Sequence, residues 1–445
     1  MKVLKFGGTS MANADTVKRV ADIVNAESVN RFVVVSAPGK RDKQDTKVTD
    51  MLYALYEYRR THDDCTPAFE PVVNRFSEIA DKLELFRIDG FDLKGELEKI
   101  KYAVDGGADR DYVASRGEYL SAYMFAHLLN RPFADAKEII RFDASGNFDE
   151  KTTFELCAKK LDAKAGAVIP GFYGGMPNGA VKTFSRGGSD VTGAIIAGAT
   201  GASVYENWTD VDGFLSGDPK VVDGPRVIDV ITYRELRELS YMGAAVLHPE
   251  SIFPVRKRDI PIRIRNTFNP GAKGTLIVPT EQVLSGKIKR EELPLTGIAG
   301  KKDFLSVQIE KSMMNNEKGF ARKVLSVLEE FGLSLEHMPS GIDTLSVVID
   351  KHGVERAQID GMLKKLNESV SPDRMEVIDN IALIAVVGHG MNRRKGMMSA
   401  ITGALYEADV NIRMIDQGSS ELNIIIAVEN CDYEKAIRAL HGLDL

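Results

Sequence analysis

A shift of 77 residues lays positions 319–349 on 396–426 without a gap. Gly319 then meets Gly396, Leu328 meets Leu405, Glu330 meets Glu407, and Leu345-Ser346-Val347-Val348-Ile349 meets Leu422-Asn423-Ile424-Ile425-Ile426. Each copy reads strand, loop, amphipathic helix, strand, turn, strand. The helix faces are Phe320, Val324, Val327, Leu328 and Phe331 in one copy and Met398, Ile401 and Leu405 in the other. A second helix is expected after each, near 354–366 and 433–440. This βαββα order is a split-βαβ, ferredoxin-like plan. Unbroken register favours duplication over chance similarity between two small α+β units.

The first 290 residues have a different texture. Val3-Leu4-Lys5-Phe6 reads as a short buried strand, Gly7-Gly8 frees the backbone to turn, and Thr9-Ser10 can cap a helix whose apolar face is Val17, Val20, Ala21 and Val24. Strand, glycine turn and helix N-terminus make an anion site of backbone N–H groups, with Lys5 adding a charge at its mouth. The spacing is neither a Walker loop nor G-x-G-x-x-G. Arg31-Phe32-Val33-Val34-Val35-Ser36 is continuously apolar after its first residue, as in a strand covered on both faces. Further strands are expected at 166–173, 180–185, 202–208 and 261–266, and helices at 50–60, 94–103 and 190–199. This alternation is an α/β layer pattern.

Composition closes off other classes. At 445 residues the chain holds about three domains' worth of core, at ~150 residues each. A net charge of −6 gives no electrostatic reason to expect nucleic acid binding. No apolar run approaches the length of a membrane span, and Met1-Lys2 leads straight into a strand, so a cytoplasmic protein is expected. Cys65, Cys157 and Cys431 are far apart and without ligand spacing, and the seven histidines are scattered. Any metal is expected to arrive with a nucleotide.

Two more motifs follow. In Phe184-Ser185-Arg186-Gly187-Gly188-Ser189-Asp190 a strand ends, glycines free the backbone, and Ser189 is placed to cap the next helix; Arg186 can clamp a carboxylate in two-pronged fashion. Ser115-Arg116-Gly117-Glu118-Tyr119-Leu120-Ser121 carries an acid suited to an ammonium group. Each alone could be a turn or an exposed helix start. Lys5-Phe6-Gly7-Gly8-Thr9-Ser10 resembles the opening signature of aspartate kinases, in the amino-acid-kinase family, and the other two motifs fit it. The C-terminal repeat resembles paired ACT domains, and Gly388-His389-Gly390-Met391 with 417–424 resembles the second ACT unit of aspartate kinases.

The resemblance implies an α/β fold: an amino-acid-kinase-like αβα sandwich with a mostly parallel sheet over 1–290, then two ferredoxin-like ACT units at 291–375 and 376–445, with strand exchange between them allowed. It implies transfer of the ATP γ-phosphoryl group to the side-chain carboxylate of L-aspartate. That acceptor is already ionised at neutral pH, so alignment and charge cancellation matter and a general base does not. By resemblance Lys5 and Asp190 are catalytic, with Asp190 orienting the lysine. Ser36, Thr49, Glu118, Arg186, Gly187, Gly188 and Ser189 line the aspartate pocket, Glu118 taking the α-ammonium and Arg186 the α-carboxylate. Lys5, Phe6, Gly7, Gly8, Thr209, Asp210, Leu215, Lys220, Ala245 and Val246 lie at the nucleotide, which carries Mg²⁺, and no separate metal site is implied. Leu215, Lys220 and Ala245 depart from residues common in the family, and His248 reads as structural. Met338, Ser340, Asp343 and Thr344 are the implied effector contacts, for lysine first and threonine second, in a homo-oligomer paired through its ACT sheets. Two readings compete: another amino-acid kinase on the same fold, with Glu118 as partner of a free α-ammonium arguing against an N-acylated substrate, and an amino-acid sensor with an inactive kinase part, opposed by the retained Lys5, Glu118, Arg186 and Asp190.

Overall fold

The computed structural model describes residues 1–26, 31–185, 187–244, 247, 252–290 and 293–443. Arg186, Ala245, Val246 and His248, named above, lie outside them. Two compact units divide the chain. The first takes in Met1–Phe214, Val227–Leu236 and Val246–Arg290; the second takes in Leu215–Arg226, Arg237–Ala245 and Glu291–Leu445. Two segments of the expected first domain therefore group with the second unit.

The first unit is built on a seven-stranded sheet of β1 (Lys2–Phe6), β2 (Arg31–Val35), β3 (Ala167–Pro170), β6 (Val204–Thr209), β7 (Val230–Thr232), β8 (Ile262–Asn266) and β9 (Thr275–Val278). Between β3 and β6 in the chain, β4 (Tyr173–Gly175) and β5 (Val181–Thr183) form a separate hairpin. The sheet order is β3-β2-β1-β6-β8-β9-β7, parallel at every pairing except β8 with β9. Strand β1 therefore has β2 on one side and β6 on the other. That reversal is a topological switch point, where loops leaving the carboxyl edge splay apart and open a crevice.

Helices α1 (Ala14–Asn25), α2 (Val48–Arg59), α3 (Thr66–Lys82), α4 (Leu93–Asp105) and α5 (Arg110–Leu128) pack a core with β1 and β2 in which Leu4, Val33, Leu52, Phe76 and Phe125 are at most 1% exposed. The remaining helices of the first 290 residues are α6 (Ala136–Ile139), α7 (Glu150–Lys160), α8 (Gly188–Thr200), α9 (Tyr233–Tyr241), α10 (Phe253–Arg256) and α11 (Thr280–Leu284).

Two expected caps are corrected. Thr9-Ser10-Met11 is a single 3-10 turn, and α1 starts later with Asn13 as its cap: Asn13 Oδ1 accepts from Thr16 N–H at 3.0 Å and Thr16 Oγ1 from Asn13 N–H at 3.1 Å. Such a cap is worth about 1 kcal/mol. The cap of α8 is Gly187, at φ 68°, and Ser189 lies inside the first turn. Left-handed backbone at that position is why a glycine precedes the helix.

The second unit carries a five-stranded sheet, order β11-β10-β12-β14-β13, of β10 (Gly297–Glu310), β11 (Thr344–Asp350), β12 (Arg374–Val387), β13 (Met414–Asp416) and β14 (Asn423–Glu429), with α12 (Phe320–Glu330), α13 (Arg356–Val370), α14 (Met397–Glu407) and α15 (Tyr433–His441). The repeat is visible as β10-α12-β11-α13 against β12-α14-β13-β14-α15. In the first copy the strand preceding β11 is reduced to bridges from His337 to Val348 and from Ser340 to Leu345. β10 and β12 run antiparallel over their whole lengths with register shifts around Phe304. One core gathers Leu305, Val307, Phe320, Val347 and Met362; the other gathers Ile298, Ile384, Ile401, Ile426 and Ile437, and includes Val222 from the inserted segment. Each copy thus has its own core, while the two long strands contribute to both.

Candidate active site

Three chain segments leave the carboxyl edge of β1, β2 and β6 side by side, because the ladder pairs Phe6 with both Val35 and Trp208. Their backbones are bonded to one another. Gly7 N–H donates to Trp208 O at 3.1 Å, Ser36 N–H to Phe6 O at 3.2 Å, and Gly39 N–H to Gly8 O at 2.8 Å. A Cβ on Gly39 would come within 2.7 Å of the Gly8 carbonyl carbon, so only glycine permits that approach.

Lys5 is 8% exposed, and its Nζ lies 3.7 Å from where a Gly7 Cβ would stand. It pairs with Asp190 Oδ1 at 2.5 Å. Asn207 Nδ2 donates to the same oxygen at 2.9 Å, and Tyr205 Oη donates to the Asp190 carbonyl at 3.2 Å. Ser36 Oγ donates to Ser189 Oγ at 2.9 Å, tying the end of β2 to the first turn of α8. Phe172, just before β4, holds a φ of 79°, strained backbone for an aromatic residue, and its N–H is fixed by Thr192 Oγ1 at 3.0 Å.

Glu118 sits on α5, and a Cβ on Gly117 would stand 2.7 Å from Ala37 Cβ, so α5 lies against the end of β2. The Glu118 side chain is buried at 5% exposure, and its Oε2 has no hydrogen-bond partner among the described residues. Burial pushes its carboxyl up to about 8, against the opposing pull of the Ala37 N–H and the charges of Arg116 and Lys5. A buried acid with one unsatisfied oxygen is suited to receive a cationic hydrogen-bond donor.

Thr49 lies in the first turn of α2, half-buried. Thr209 ends β6 and Asp210 follows it, exposed, where its carboxylate accepts from Thr9 Oγ1 at 3.3 Å and Thr209 Oγ1 at 3.2 Å. Leu215 and Lys220 belong to the second unit, where Lys220 is exposed. Trp208 is core: it stacks on Phe6 with ring centroids 5.7 Å apart, under the Arg265 guanidinium. The turn after it is held by residues the motifs did not include, since Asp212 Oδ1 accepts from Asn266 Nδ2 at 2.9 Å and Asn269 Nδ2 at 3.2 Å. Asn207, just ahead of Thr209 and Asp210 on β6, turns its amide to Asp190. Alternation along β6 could have revealed this, because it puts Tyr205 and Asn207 on one face.

In the second unit Met338 and Ser340 lie on the bridged stretch that pairs with β11, Asp343 lies in the bend that follows, and Thr344 opens β11. Gly341 N–H donates to Thr344 O at 2.7 Å and Lys311 N–H to Asp343 O at 2.9 Å. Ser340 and Asp343 are exposed. Among the described residues no helix is long and apolar enough to cross a membrane, and no three His, Cys, Asp or Glu side chains gather as a ready metal site.

Residues 1–266 match the amino acid kinase family and residues 384–442 an ACT domain. Aspartokinase 3 of Bacillus subtilis is 37% identical over 451 residues, covering 99% of this chain and 98% of that protein. The aspartate kinase of Clostridium acetobutylicum superposes with a TM-score of 0.92 at 47% identity, over 99% of both chains. Aspartokinase III of Escherichia coli, 27% identical over 99% of both chains, superposes at 0.74 in its R-state complex with aspartate and ADP and at 0.73 in its T-state complex with lysine and aspartate. With a glycine turn, a lysine–aspartate pair and a buried glutamate gathered at the switch point of a mostly parallel sheet, the chain belongs to the amino acid kinase family and, within it, to the aspartate kinases, a phosphotransferase with a C-terminal ACT region.

Proposed function

We propose that the protein transfers the γ-phosphoryl group of MgATP to the side-chain carboxylate of L-aspartate, giving 4-phospho-L-aspartate and ADP, in the cytoplasm. The observation that carries the choice of substrate is Glu118: a buried carboxyl with an unsatisfied oxygen, close enough to Lys5 to feel its charge, suits a free α-ammonium beside a phosphoryl-transfer centre. An N-acylated amino acid has no such cation to offer.

In this reading a carboxylate oxygen of aspartate attacks the γ-phosphorus, and the bond to the β,γ-bridging oxygen breaks with its electron pair leaving on ADP. Lys5 cancels charge between the two anions, and Asp190 holds Lys5. Glu118 and Arg186 take the α-ammonium and α-carboxylate, with Ser36, Thr49, Gly187, Gly188 and Ser189 lining the pocket. The backbone of 6–8, with Thr209, Asp210, Leu215, Lys220, Ala245 and Val246, contacts the nucleotide. Residues 291–375 and 376–445 act as paired ACT units in a homodimer, binding lysine or threonine near Met338, Ser340, Asp343 and Thr344, and so control entry into lysine, threonine and methionine synthesis. Exposed Met313 and Ile342, 66% and 71% accessible, support an association surface there.

The test is ADP release from MgATP with L-aspartate, glutamate or N-acetylglutamate, repeated with millimolar lysine and threonine. Turnover with aspartate, suppressed by one of the two, is expected. Turnover with glutamate or N-acetylglutamate instead would overturn the substrate, and lysine binding without any turnover would favour the sensor reading.

A further inference from the structure

We infer that Asn207 is a positioning residue for phosphoryl transfer, holding the Asp190 carboxylate in place so that Lys5 alone moves toward the transferred group. The inference rests on the reading of Lys5 and Asp190 as the catalytic pair.

Asn207 is register partner of Lys5 on the neighbouring parallel strand, with Ile264 on its other side. Registered neighbours share a face of the sheet, and both these side chains end on one atom, Asp190 Oδ1, at 2.5 Å for Lys5 and 2.9 Å for Asn207. Two places back on β6, Tyr205 Oη holds the Asp190 carbonyl at 3.2 Å, and its ring lies within 2.7 Å of where a Gly193 Cβ would stand. The opposite face of β6 has other business: Glu206 pairs with Lys2, and Trp208 stacks on Phe6. Strand β6 therefore grips Asp190 by main chain and side chain together.

An amide 3% exposed in a buried strand needs a partner, and this one finds it in the aspartate. Its neutrality matters. A cation here would compete with Lys5 for the carboxylate, and an acid would repel it. When phosphate oxygens draw the ammonium away, the carboxylate loses its strongest partner, and the amide keeps it from following or rotating.

The experiment compares steady-state kinetics of Asn207→Leu, Asp190→Asn and the double variant in the full-length enzyme. Asn207→Leu should lower kcat at least tenfold, with KM for aspartate and MgATP changed less than twofold. In the Asp190→Asn background the same substitution should cost less than twofold, because its target is gone. An equal loss in both backgrounds, or a loss confined to KM, would overturn the inference. If Asp190→Asn turns over like the parent, the catalytic pair itself is wrong; if only Asn207→Leu does, the pair stands and the inference falls. Asn207→Asp guards against misfolding and against an undetectable Asp190→Asn. It has the same shape, and its turnover relative to the parent should recover as pH falls, since a shared proton restores a donor between the carboxyls. A flat ratio across pH would count against the inference.

Discussion

Glu118 is a carboxyl whose charge is costly until a cation arrives. Its value near 8 against an ordinary 4.5 has a defined sign. A raised folded value favours the folded state fully below about 4.5, and that advantage is lost as pH climbs to about 8. Glu118→Gln should therefore melt higher than the parent at pH 8 and nearly together with it at pH 4, by differential scanning calorimetry. Binding an ammonium drives ionisation, so the affinity for aspartate should rise with pH by up to ~tenfold per unit below 8. Isothermal titration across pH 6–8 checks this slope, and Glu118→Gln should bind weakly with no slope. Lys5 answers differently. Lys5→Met removes the charge that cancels repulsion, and a kcat loss of ~10²–10³ is expected with folding retained. At this scale the motifs singled out Lys5, Glu118 and Asp190. Asn207 was not singled out, because alternation along β6 gives only the face it shares with Tyr205, and its partner is set when α8 packs onto that face.

The loop between β2 and α2 is held by one buried side chain. Arg75 on α3, 3% exposed, donates to Gly39 O at 3.1 Å and to both Asp45 oxygens at 2.7 Å, while Arg41 grips Asp45 from outside. Gly39 in turn rests on Gly8, so the arginine steadies the glycine turn through two contacts. Burial works to raise the Asp45 carboxyl, but hydrogen bonds from Arg41 and the charge of Arg75 outweigh it and hold it below the usual range. A depressed acid stabilises above its unfolded value and loses that as pH falls. Arg75→Met should cost about 3 kcal/mol at pH 7, as breaking a buried pair does. The gap to the parent should narrow below pH ~4, where Asp45 becomes protonated in the unfolded chain. Urea melts at the two pH values measure both. The strands β1, β2, β3, β6 and β8 and the helices α2, α4 and α8 could be read from periodicity within a few residues, whereas α3 and α5 were not read; nor was the start of α1, since Thr9-Ser10 and Asn13 are all competent caps and the winner depends on how tightly 9–11 turns.

At the scale of the molecule, a cut after Arg290 would not release a self-sufficient catalytic piece. Val222 packs in a core with Ile298 and Ile384, Ser216 Oγ lies 2.9 Å from His441 Nε2, and Asn423 Nδ2 donates to Glu238 Oε2 at 2.6 Å. All are contacts within the second unit, made by segments that precede residue 246. A truncated 1–290 chain should therefore expose Val222 and Leu239 and aggregate, or melt well below the full chain. A soluble fragment with parental turnover, judged by size-exclusion chromatography and the ADP assay, would contradict this.

The amino-acid sequence by itself determined the kinds of element, the duplication and the chemistry-bearing motifs. Periodicity, turn residues and the 77-residue register are local properties of the chain. Tertiary structure alone decided which strands lie beside β1, that Asn207 meets Asp190, and that 215–226 and 237–245 group with the second unit. These depend on contacts between residues far apart in sequence, whose choice is a competition among apolar surfaces that no local pattern records.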